Sequence, residues 1–259
     1  LSLLCVGGDW LARGAASFAL RLKVNPLVVG LTVVSTATSM PEVITSFIAT
    51  AGGSPELAIG NVLGSNIANI GLIVGISSLV CPLVIQHRLL LQEMPVLLGV
   101  TLVFTLMAFF GAGLGRIEGI ILVAMLAAYL AFLVQQAYRH GPDAVPSDLE
   151  DLPDAVSSWP MIGLLLGAGA VGLALGAELV FGCSVVVARK LGVSEGWIGL
   201  TIVALGTSLP ELAASIAAAL RKQSDIVAGN IIGSNIFNLL LIGGGVAGVF
   251  TLPVSTALF

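Results

Sequence analysis

The sequence predicts an all-α polytopic membrane protein built as an inverted-topology repeat, and three observations lead to this prediction. Hydrophobic residue types make up 57% of the 259 residues and charged types only 9%, whereas soluble domains carry about 25% charged residues. Long apolar stretches recur from one end of the chain to the other, and two sequence blocks occur twice at one constant offset. The composition and the net charge of -4 exclude collagen, disordered, disulfide-scaffold and nucleic-acid-binding classes.

The long apolar stretches predict eight helices. A helix that spans a bilayer needs about 20 mostly apolar residues, and Gly, Pro and charge clusters mark where each one ends. Because residue 1 is a Leu within an apolar stretch, we expect it to lie inside a first span rather than in a signal peptide. The predicted helices cover residues 1–22, 26–52, 56–80, 89–110, 115–138, 160–190, 195–220 and 225–250.

One hydrophilic segment divides the chain into two predicted repeats. Residues 139–159 contain five acidic residues and a single strong base, Arg139, which is typical of a solvated linker. A calcium-binding loop is the alternative, but the segment lacks the Asp/Asn alternation and central Gly of an EF-hand. The linker separates a first repeat, residues 1–138, from a second repeat, residues 160–259.

The basic residues predict which loops face the cytoplasm. Six of them lie in loops that follow odd-numbered helices, and three lie on the opposite side. Since cytoplasmic loops carry an excess of Lys and Arg, we expect the N-terminus outside and the acidic linker in the cytoplasm. The six are Arg21, Lys23, Arg88, Arg139, Arg221 and Lys222; the three are Arg116, Arg189 and Lys190.

Two blocks of sequence are repeated. Residues 30–46, GLTVVSTATSMPEVITS, match residues 199–215, GLTIVALGTSLPELAAS, and residues 60–69 match residues 229–238. Both matches have an offset of 169, and 20 of the 51 positions from residue 26 onward are identical. This offset spans five predicted helices, an odd number, so the second copy enters the membrane from the opposite face. In transporters, an inverted repeat places the substrate site at the repeat interface near the bilayer midplane. The motif regions extend over residues 30–76 and 199–245.

The first block places a glutamate about halfway along a predicted span in each repeat. Glu42 and Glu211 therefore need compensation, since a charge at mid-membrane costs roughly 2.5 to 3.5 kcal/mol. Bound cations are the simplest compensation, because no Lys or Arg falls within either predicted span that carries these glutamates. A protonated or structurally locked glutamate is the alternative.

The proline before each glutamate predicts a break in the helix. Pro41 and Pro210 remove the hydrogen bond to the carbonyl four residues back and crowd the next carbonyl. The affected carbonyls are hard oxygen ligands, and such irregular backbone is tolerated in a membrane where it lines a cavity. A simple kink is the alternative. The freed carbonyls belong to Ala37 and Gly206, and the strained ones to Thr38 and Thr207.

The second block places a polar stripe on an otherwise apolar helix in each repeat. Asn61, Ser65 and Asn69 are four residues apart, and Asn230, Ser234 and Asn238 repeat the pattern. Hydrogen bonds between helices are the alternative, most plausibly for Asn61, Asn66, Asn230 and Asn235. The glycine pairs Gly60/Gly64 and Gly229/Gly233 predict close helix packing. With the carboxylates, these oxygens favour hard ions such as Na⁺, Ca²⁺ or Mg²⁺, and two carboxylates balance one Ca²⁺ or two Na⁺.

These two blocks resemble the α-repeats of the sodium/calcium exchanger family, in the calcium:cation antiporter superfamily, which carry GTSxPE and GNxxGSN. The resemblance implies ten helices, five in each repeat, so that about eight would be present and the chain would be truncated at both ends. It also implies that the first and sixth helices slide to switch access. Without a large loop between the repeats, the sequence resembles prokaryotic members, which implies a plasma (inner) membrane location.

The resemblance also implies the ligands. Ca²⁺ would be bound by Glu42, Glu211 and the carbonyls of Thr38 and Thr207. Na⁺ would use overlapping positions built from hydroxyl, amide and backbone oxygens, and no other cofactor and no protein partner is implied. These positions are Ser39, Ser65, Asn69, Ser208, Ser234, Asn238 and the backbone at Ser35 and Ala204.

Three residues depart from the family pattern. Ala37 stands where the family usually has Gly, which predicts a stiffer break, and Ser35 replaces the usual Ala. Asn238 stands where many exchangers have Asp, so the site carries two formal charges and its sodium stoichiometry and potassium dependence stay open.

Two other functions remain as alternatives to Ca²⁺/Na⁺ antiport. One is H⁺-coupled or K⁺-dependent cation exchange, since a buried glutamate can carry protons. The other is a membrane scaffold without transport. An enzyme is not expected, because His87 and His140 lie in predicted loops and no nucleophile and base are paired. Asp9 and Glu178, which match at the same offset, are expected to be helix-end or gate residues, with an Asp9–Arg13 surface ion pair as the simpler interpretation.

Overall fold

The computed structural model describes residues 1–110, 113–140, 156–192 and 204–253, which form ten helices and one short strand pair. The helices agree closely with the predicted ranges, except that the second and seventh predicted helices are each broken in two. Most of the acidic linker and residues 195–203 of the seventh predicted helix lie outside the described residues. The elements are α1 Ser2–Leu22, α2 Pro26–Thr38, α3 Met40–Ala51, α4 Pro55–Val80, α5 Leu89–Phe110, β1 Gly113–Leu114, α6 Arg116–His140, α7 Trp159–Lys190, α8 Ala204–Thr207, α9 Leu209–Leu220, α10 Ser224–Val249 and β2 Leu252–Pro253.

Five of these helices are long and apolar enough to cross a membrane, namely α4, α5, α6, α7 and α10. A sixth span is formed if α2 and α3, which are bent by 42° at Ser39, are counted together. Helix α1 carries Asp9 and Arg13 and is less apolar than these spans. The protein is therefore a multi-pass integral membrane protein.

Helix α10 lies at the centre of the molecule. In its most apolar stretch, 94% of the residues are buried, against 17 to 33% in the other four long spans. Gly229 and Gly233 allow this central position, because a Cβ atom at either would lie 2.5 to 2.6 Å from a backbone oxygen of α2. The predicted packing role of this glycine pair is confirmed. A Cβ at Gly60, by contrast, would meet no atom within 4 Å among the described residues.

Helices α1 and α7 pack against each other, and glycines lie where the two helices cross. A Cβ atom at Gly169 would lie 2.7 Å from the Leu11 nitrogen, and one at Gly7 would lie 2.8 Å from the Leu173 nitrogen. The two backbones therefore touch directly. Helix α1 also packs against α9, where Gly8 contacts the carbonyl of Ala213.

Short polar contacts tie together the loops on each side of the molecule. Asn25, the N-cap of α2, donates to Gln86, and Gln86 donates to Asp225 at the start of α10, at 3.4 and 2.6 Å. On the opposite side, β1 and β2 pair antiparallel, with Leu114 opposite Leu252. This small sheet was not predicted, because two-residue strands leave no periodic pattern. Both sets of contacts agree with a chain that alternates between two faces.

Candidate functional site

The helix breaks predicted from the prolines are present in both repeats and have the same geometry. Ser39 separates α2 from α3 with φ −84° and ψ 1°, and Ser208 separates α8 from α9 with φ −85° and ψ 4°. Such angles lie in the sparsely allowed bridge region, where active-site residues are often found. Each glutamate follows its break by three residues and lies in the first turn of the next helix.

The backbone ladder skips carbonyl oxygens at the first break. The Ser39 N–H donates to the Ser35 carbonyl at 3.0 Å, and the Val43 N–H donates to the Ser39 carbonyl at 3.2 Å. Pro41 has no N–H to donate to Ala37, and the ladder also passes over Thr38. At the first break, the carbonyls of Ala37 and Thr38 are thus left without a ladder hydrogen bond in the described part of the chain.

The alanine at position 37 does not prevent the break. In the second repeat, a Cβ at Gly206 would lie 2.7 Å from a ring carbon of Phe181, so glycine is needed there. The residue that matches Phe181 at the offset of 169 is Ala12, and Ala12 and Ala37 belong to one buried apolar cluster. Small and large residues are therefore exchanged between the two repeats, and α2 and α3 bend by 42° with alanine at position 37; that this alanine stiffens the break stays a prediction.

The two glutamates are enclosed by protein. Glu42 is 0% and Glu211 is 1% exposed, and their carboxylates are close enough to interact electrostatically. Ser39 Oγ donates to Glu211 Oε1 at 3.0 Å. Both Glu42 oxygens and Glu211 Oε2 have no hydrogen-bond donor, and within the described ranges neither carboxylate forms an ion pair. Unpartnered buried carboxylate oxygens favour a bound cation.

The threonine four residues before each glutamate forms a hydrogen bond with an asparagine of the other repeat. Thr38 Oγ1 donates to Asn230 Oδ1 at 3.1 Å, and Thr207 Oγ1 donates to Asn61 Oδ1 at 3.0 Å. Both hydroxyls thus donate across the repeat interface, and the Thr38 carbonyl is the oxygen that the helix break leaves without a ladder bond.

The same two asparagines also brace the glutamate-bearing helices. Asn61 donates to the Glu42 carbonyl at 3.3 Å and to Ser46 Oγ at 2.9 Å. Asn230 makes the matching bonds to the Glu211 carbonyl and Ser215 Oγ, at 3.4 and 3.0 Å. The interpretation of Asn61 and Asn230 as interhelical hydrogen-bonding residues is confirmed. Ser46 and Ser215 were missed, although they are an identical pair four residues after each glutamate.

The rest of the polar stripe carries unpartnered oxygens. Ser65 and Ser234 are fully buried, and their hydroxyls, like that of Ser208, have no hydrogen-bond partner in the part of the chain that the structure describes. Asn69 and Asn238 each begin a π-helical turn, Asn69–Ile73 and Asn238–Gly243. Such turns are frequent at functional sites.

The two predicted backbone ligands are placed differently. Ser35 is fully buried and its hydroxyl donates to the Leu31 carbonyl at 2.7 Å, while its own carbonyl accepts from the Ser39 N–H at 3.0 Å and from Thr38 Oγ1 at 3.3 Å. Ala204 begins α8 at the edge of a described range, and its surroundings are not assigned. Across the described ranges, no three His, Cys, Asp or Glu side chains converge. The clustered ligands are two carboxylates together with hydroxyl, amide and backbone oxygens.

Asp9 and Glu178, which match at the offset of 169, have different surroundings. The expected Asp9–Arg13 pair is wrong, because Asp9 Oδ1 instead accepts from Arg221 Nε at 2.9 Å and from its Nη2 at 2.5 Å. The tight packing of α1 on α9 brings Arg221 within reach of Asp9. Glu178 instead lines a cavity of about 60 Å³ together with Pro41, Thr45, Ala174, Ala177, Phe181, Gly206 and Thr207.

A third buried carboxylate lies away from this cluster. Glu93 in α5 is 0% exposed, accepts from the Tyr129 hydroxyl at 2.8 Å and lies 3.7 Å from Arg88. It was missed because it lies one turn from the start of its helix, where a charge is ordinary. The Tyr129 hydrogen bond links α5 to α6, whereas Glu93 Oε1 has no hydrogen-bond donor in the part of the chain that the structure describes.

The fold and the cluster define a polytopic transporter with an inverted repeat and paired buried carboxylates. The chain belongs to the sodium/calcium exchanger family: the model described as "Sodium/calcium exchanger protein" matches residues 1–135 and 161–257. It is a Ca²⁺/cation antiporter of the prokaryotic type.

The chain is similar to relatives over most of its length. It is 38% identical to the inner membrane protein YrbG of Escherichia coli, covering 94% of this chain and 76% of the relative. It is 32% identical to the sodium/calcium exchanger MaX1 of Methanosarcina acetivorans, covering 99% and 82%. A structure of the sodium-calcium exchanger NCX_Mj soaked with 2.5 mM Na⁺ and 1 mM Sr²⁺ is similar with a TM-score of 0.83 and 33% identity, over 99% of this chain and 82% of that chain.

Proposed function

We propose that this protein exchanges Ca²⁺ for Na⁺ by alternating access at a midplane site between Glu42 and Glu211. One observation carries the proposal: two buried carboxylates lie together without a cationic side chain paired to them in the described ranges. Two negative charges are neutralised equally by one Ca²⁺ or by two Na⁺, which is the physical basis for competition between the ions.

The oxygens at the breaks suit Ca²⁺. Four carboxylate oxygens and the carbonyls of Thr38 and Thr207 would supply six, within the roughly six to eight oxygen ligands that Ca²⁺ takes. Na⁺ would use overlapping positions built from the remaining oxygens. These are the hydroxyls of Ser39, Ser65, Ser208 and Ser234, the amide oxygens of Asn69 and Asn238, and the backbone at Ser35 and Ala204.

The different surroundings of Asp9 and Glu178 support alternating access. On one side a cavity reaches Pro41 and Thr207 at the helix breaks, and on the other side α1 packs directly on α9. In the predicted orientation, with the N-terminus outside, the cavity lies toward the exterior. Sliding of the crossed pair α1 and α7 would exchange the open and closed sides.

The proposal is tested by ⁴⁵Ca²⁺ uptake into proteoliposomes loaded with Na⁺. We expect Glu42→Gln and Glu211→Gln each to abolish uptake, because each removes one of the two charges that balance Ca²⁺. Glu56→Gln is the matched control, since Glu56 is an exposed carboxylate at the start of α4. Unchanged uptake in either site variant would contradict the proposal.

The ion gradient that drives Ca²⁺ uptake identifies the coupling ion. A Na⁺ gradient alone should support uptake, and added K⁺ should not be required. Uptake driven by a pH gradient without Na⁺ would favour proton-coupled exchange instead. If no gradient drives flux and Ca²⁺ gives no thermal stabilisation of the wild type, the scaffold interpretation stands.

A further inference from the structure

Two asparagines outside the proposed ligand set contact the ligand asparagines across the repeat interface. Asn69 Nδ2 in α4 donates to Asn235 Oδ1 in α10 at 3.2 Å, and Asn238 Nδ2 in α10 donates to Asn66 Oδ1 in α4 at 3.0 Å. Each helix thus contributes two asparagines three positions apart, and one hydrogen bond runs from α4 to α10 while the other runs from α10 to α4. Each ligand asparagine is held by the repeat to which it does not belong.

These bonds fix which end of each ligand amide is available. Asn69 and Asn238 are 1% and 0% exposed, so their amides cannot turn toward water. Their nitrogens are engaged, and their Oδ1 atoms have no partner within the described residues. A buried amide oxygen without a donor is costly, and a cation at the polar stripe would remove that cost.

We propose that Asn66 and Asn235 are positioning residues that orient the amides of Asn238 and Asn69, so that neutral oxygens face the transported ion. The inference rests on the proposed function, because it assigns the partners of that site. It also explains the amide at position 238: a carboxylate has no N–H to donate to Asn66 Oδ1.

The two positioning residues are not equally fixed. Asn66 Nδ2 donates to the Asn235 carbonyl at 3.3 Å, whereas Asn235 Nδ2 has no partner in the described part of the chain. Since a turn of the Asn66 amide would break a second hydrogen bond, Asn66 holds Asn238 more firmly than Asn235 holds Asn69. We therefore expect the larger effect from the change at Asn66.

A double-mutant cycle tests the inference on the full chain in proteoliposomes. The variants Asn66→Ala, Asn69→Ala and Asn238→Ala and their pairs are compared by KM for Ca²⁺ and by maximal rate. Asn66→Ala should raise KM by about three- to tenfold, the effect of one lost hydrogen bond, with the maximal rate retained. In the Asn238→Ala background the same change should have no further effect, because its target is gone.

The matched control is the pair Asn66→Ala and Asn69→Ala, which lie one turn apart on α4. Their effects on KM should multiply, since Asn66 acts on the other repeat. A merely structural role of Asn66 predicts the same fold-change in every background and a lower maximal rate. Multiplicative effects with Asn238→Ala, or an unchanged KM in Asn66→Ala, would overturn the inference.

Two additions keep the outcomes distinguishable. If Asn66→Ala does not fold, Asn66→Ser replaces it, since serine is also too short to reach Asn238. If Glu42→Gln abolishes uptake but the effects of Asn66→Ala and Asn238→Ala on KM multiply, the positioning role is rejected and the proposed function stands. Unchanged uptake in Glu42→Gln would reject the proposed function itself.

Discussion

Ser39 and Ser208 have the same backbone conformation, but only one of the two hydroxyls has a partner. Ser39 Oγ bonds to Glu211, whereas Ser208 Oγ, at the matched position, is buried without a bond in the described ranges. A sequence in which both copies read Thr-Ser-x-Pro-Glu gives no sign of this difference. The structure therefore assigns unequal roles to residues that the repeat makes identical.

This inequality predicts different effects on stability. Ser39→Ala should lower the free energy of unfolding of the ion-free protein by about 1 to 2 kcal/mol, because it removes a hydrogen bond to a carboxylate. Ser208→Ala, the matched control, should have little effect. Thermal unfolding in detergent without Na⁺ and Ca²⁺ measures both, and an equal or larger loss in Ser208→Ala would contradict the prediction.

At the scale of helices, the crossing of α1 and α7 depends on glycine. A Cβ at Gly169 would lie 2.7 Å from the Leu11 nitrogen, whereas one at Gly167, two residues earlier, would meet nothing within 4 Å among the described residues. The two positions therefore separate the contact with α1 from the general effect of replacing a helical glycine.

We expect Gly169→Ala to destabilise the protein by about 1 to 3 kcal/mol, the usual cost of overpacking, and to slow Na⁺-driven Ca²⁺ uptake. Gly167→Ala should be neutral or slightly stabilising, since Ala is the better helix former. Thermal unfolding and flux measured on both variants test this. Equal stability of the two variants would contradict the prediction, because it would mean that α1 and α7 can move apart to admit a methyl group without loss of stability.

At the scale of the whole molecule, the contacts at the two ends of the helices predict the topology. Gln86 joins the loop after α4 to Asn25 and Asp225, so these three segments lie on one side. The count of basic residues predicts that this side faces the cytoplasm. The start of α4 would then face the exterior.

Labelling of single cysteines tests this orientation. In a background without Cys5, Cys81 and Cys183, Glu56→Cys should react with an impermeant maleimide added outside intact cells. His87→Cys, in the loop between α4 and α5 on the other side, should react only after the membrane is opened. Both positions are exposed, so the reverse pattern would mean that the chain is inserted the other way round.

The helices and their breaks were predictable because each depends on local sequence, and the meeting of Glu42 and Glu211 was predictable because an inverted repeat brings matched positions to one interface. Apolar length fixes a span, and Pro41 fixes a break through its missing N–H. The partner of Asp9 was not predictable, because Arg221 reaches it only through the packing of α1 on α9. Glu93 was also missed, since burial at a helix end depends on a neighbour, Tyr129, that the sequence separates by 36 residues.

The exchange of asparagine and threonine bonds between the repeats has a consequence for a chain of half this length. Such a chain would carry Thr38 without Asn230 and Asn69 without Asn235, so its site would lack half of its hydrogen-bond partners. It could complete them only by pairing with a second copy inserted upside down. Joining two copies in one chain guarantees equal numbers of both orientations, and each half is then free to diverge, as Asp9 and Glu178 have.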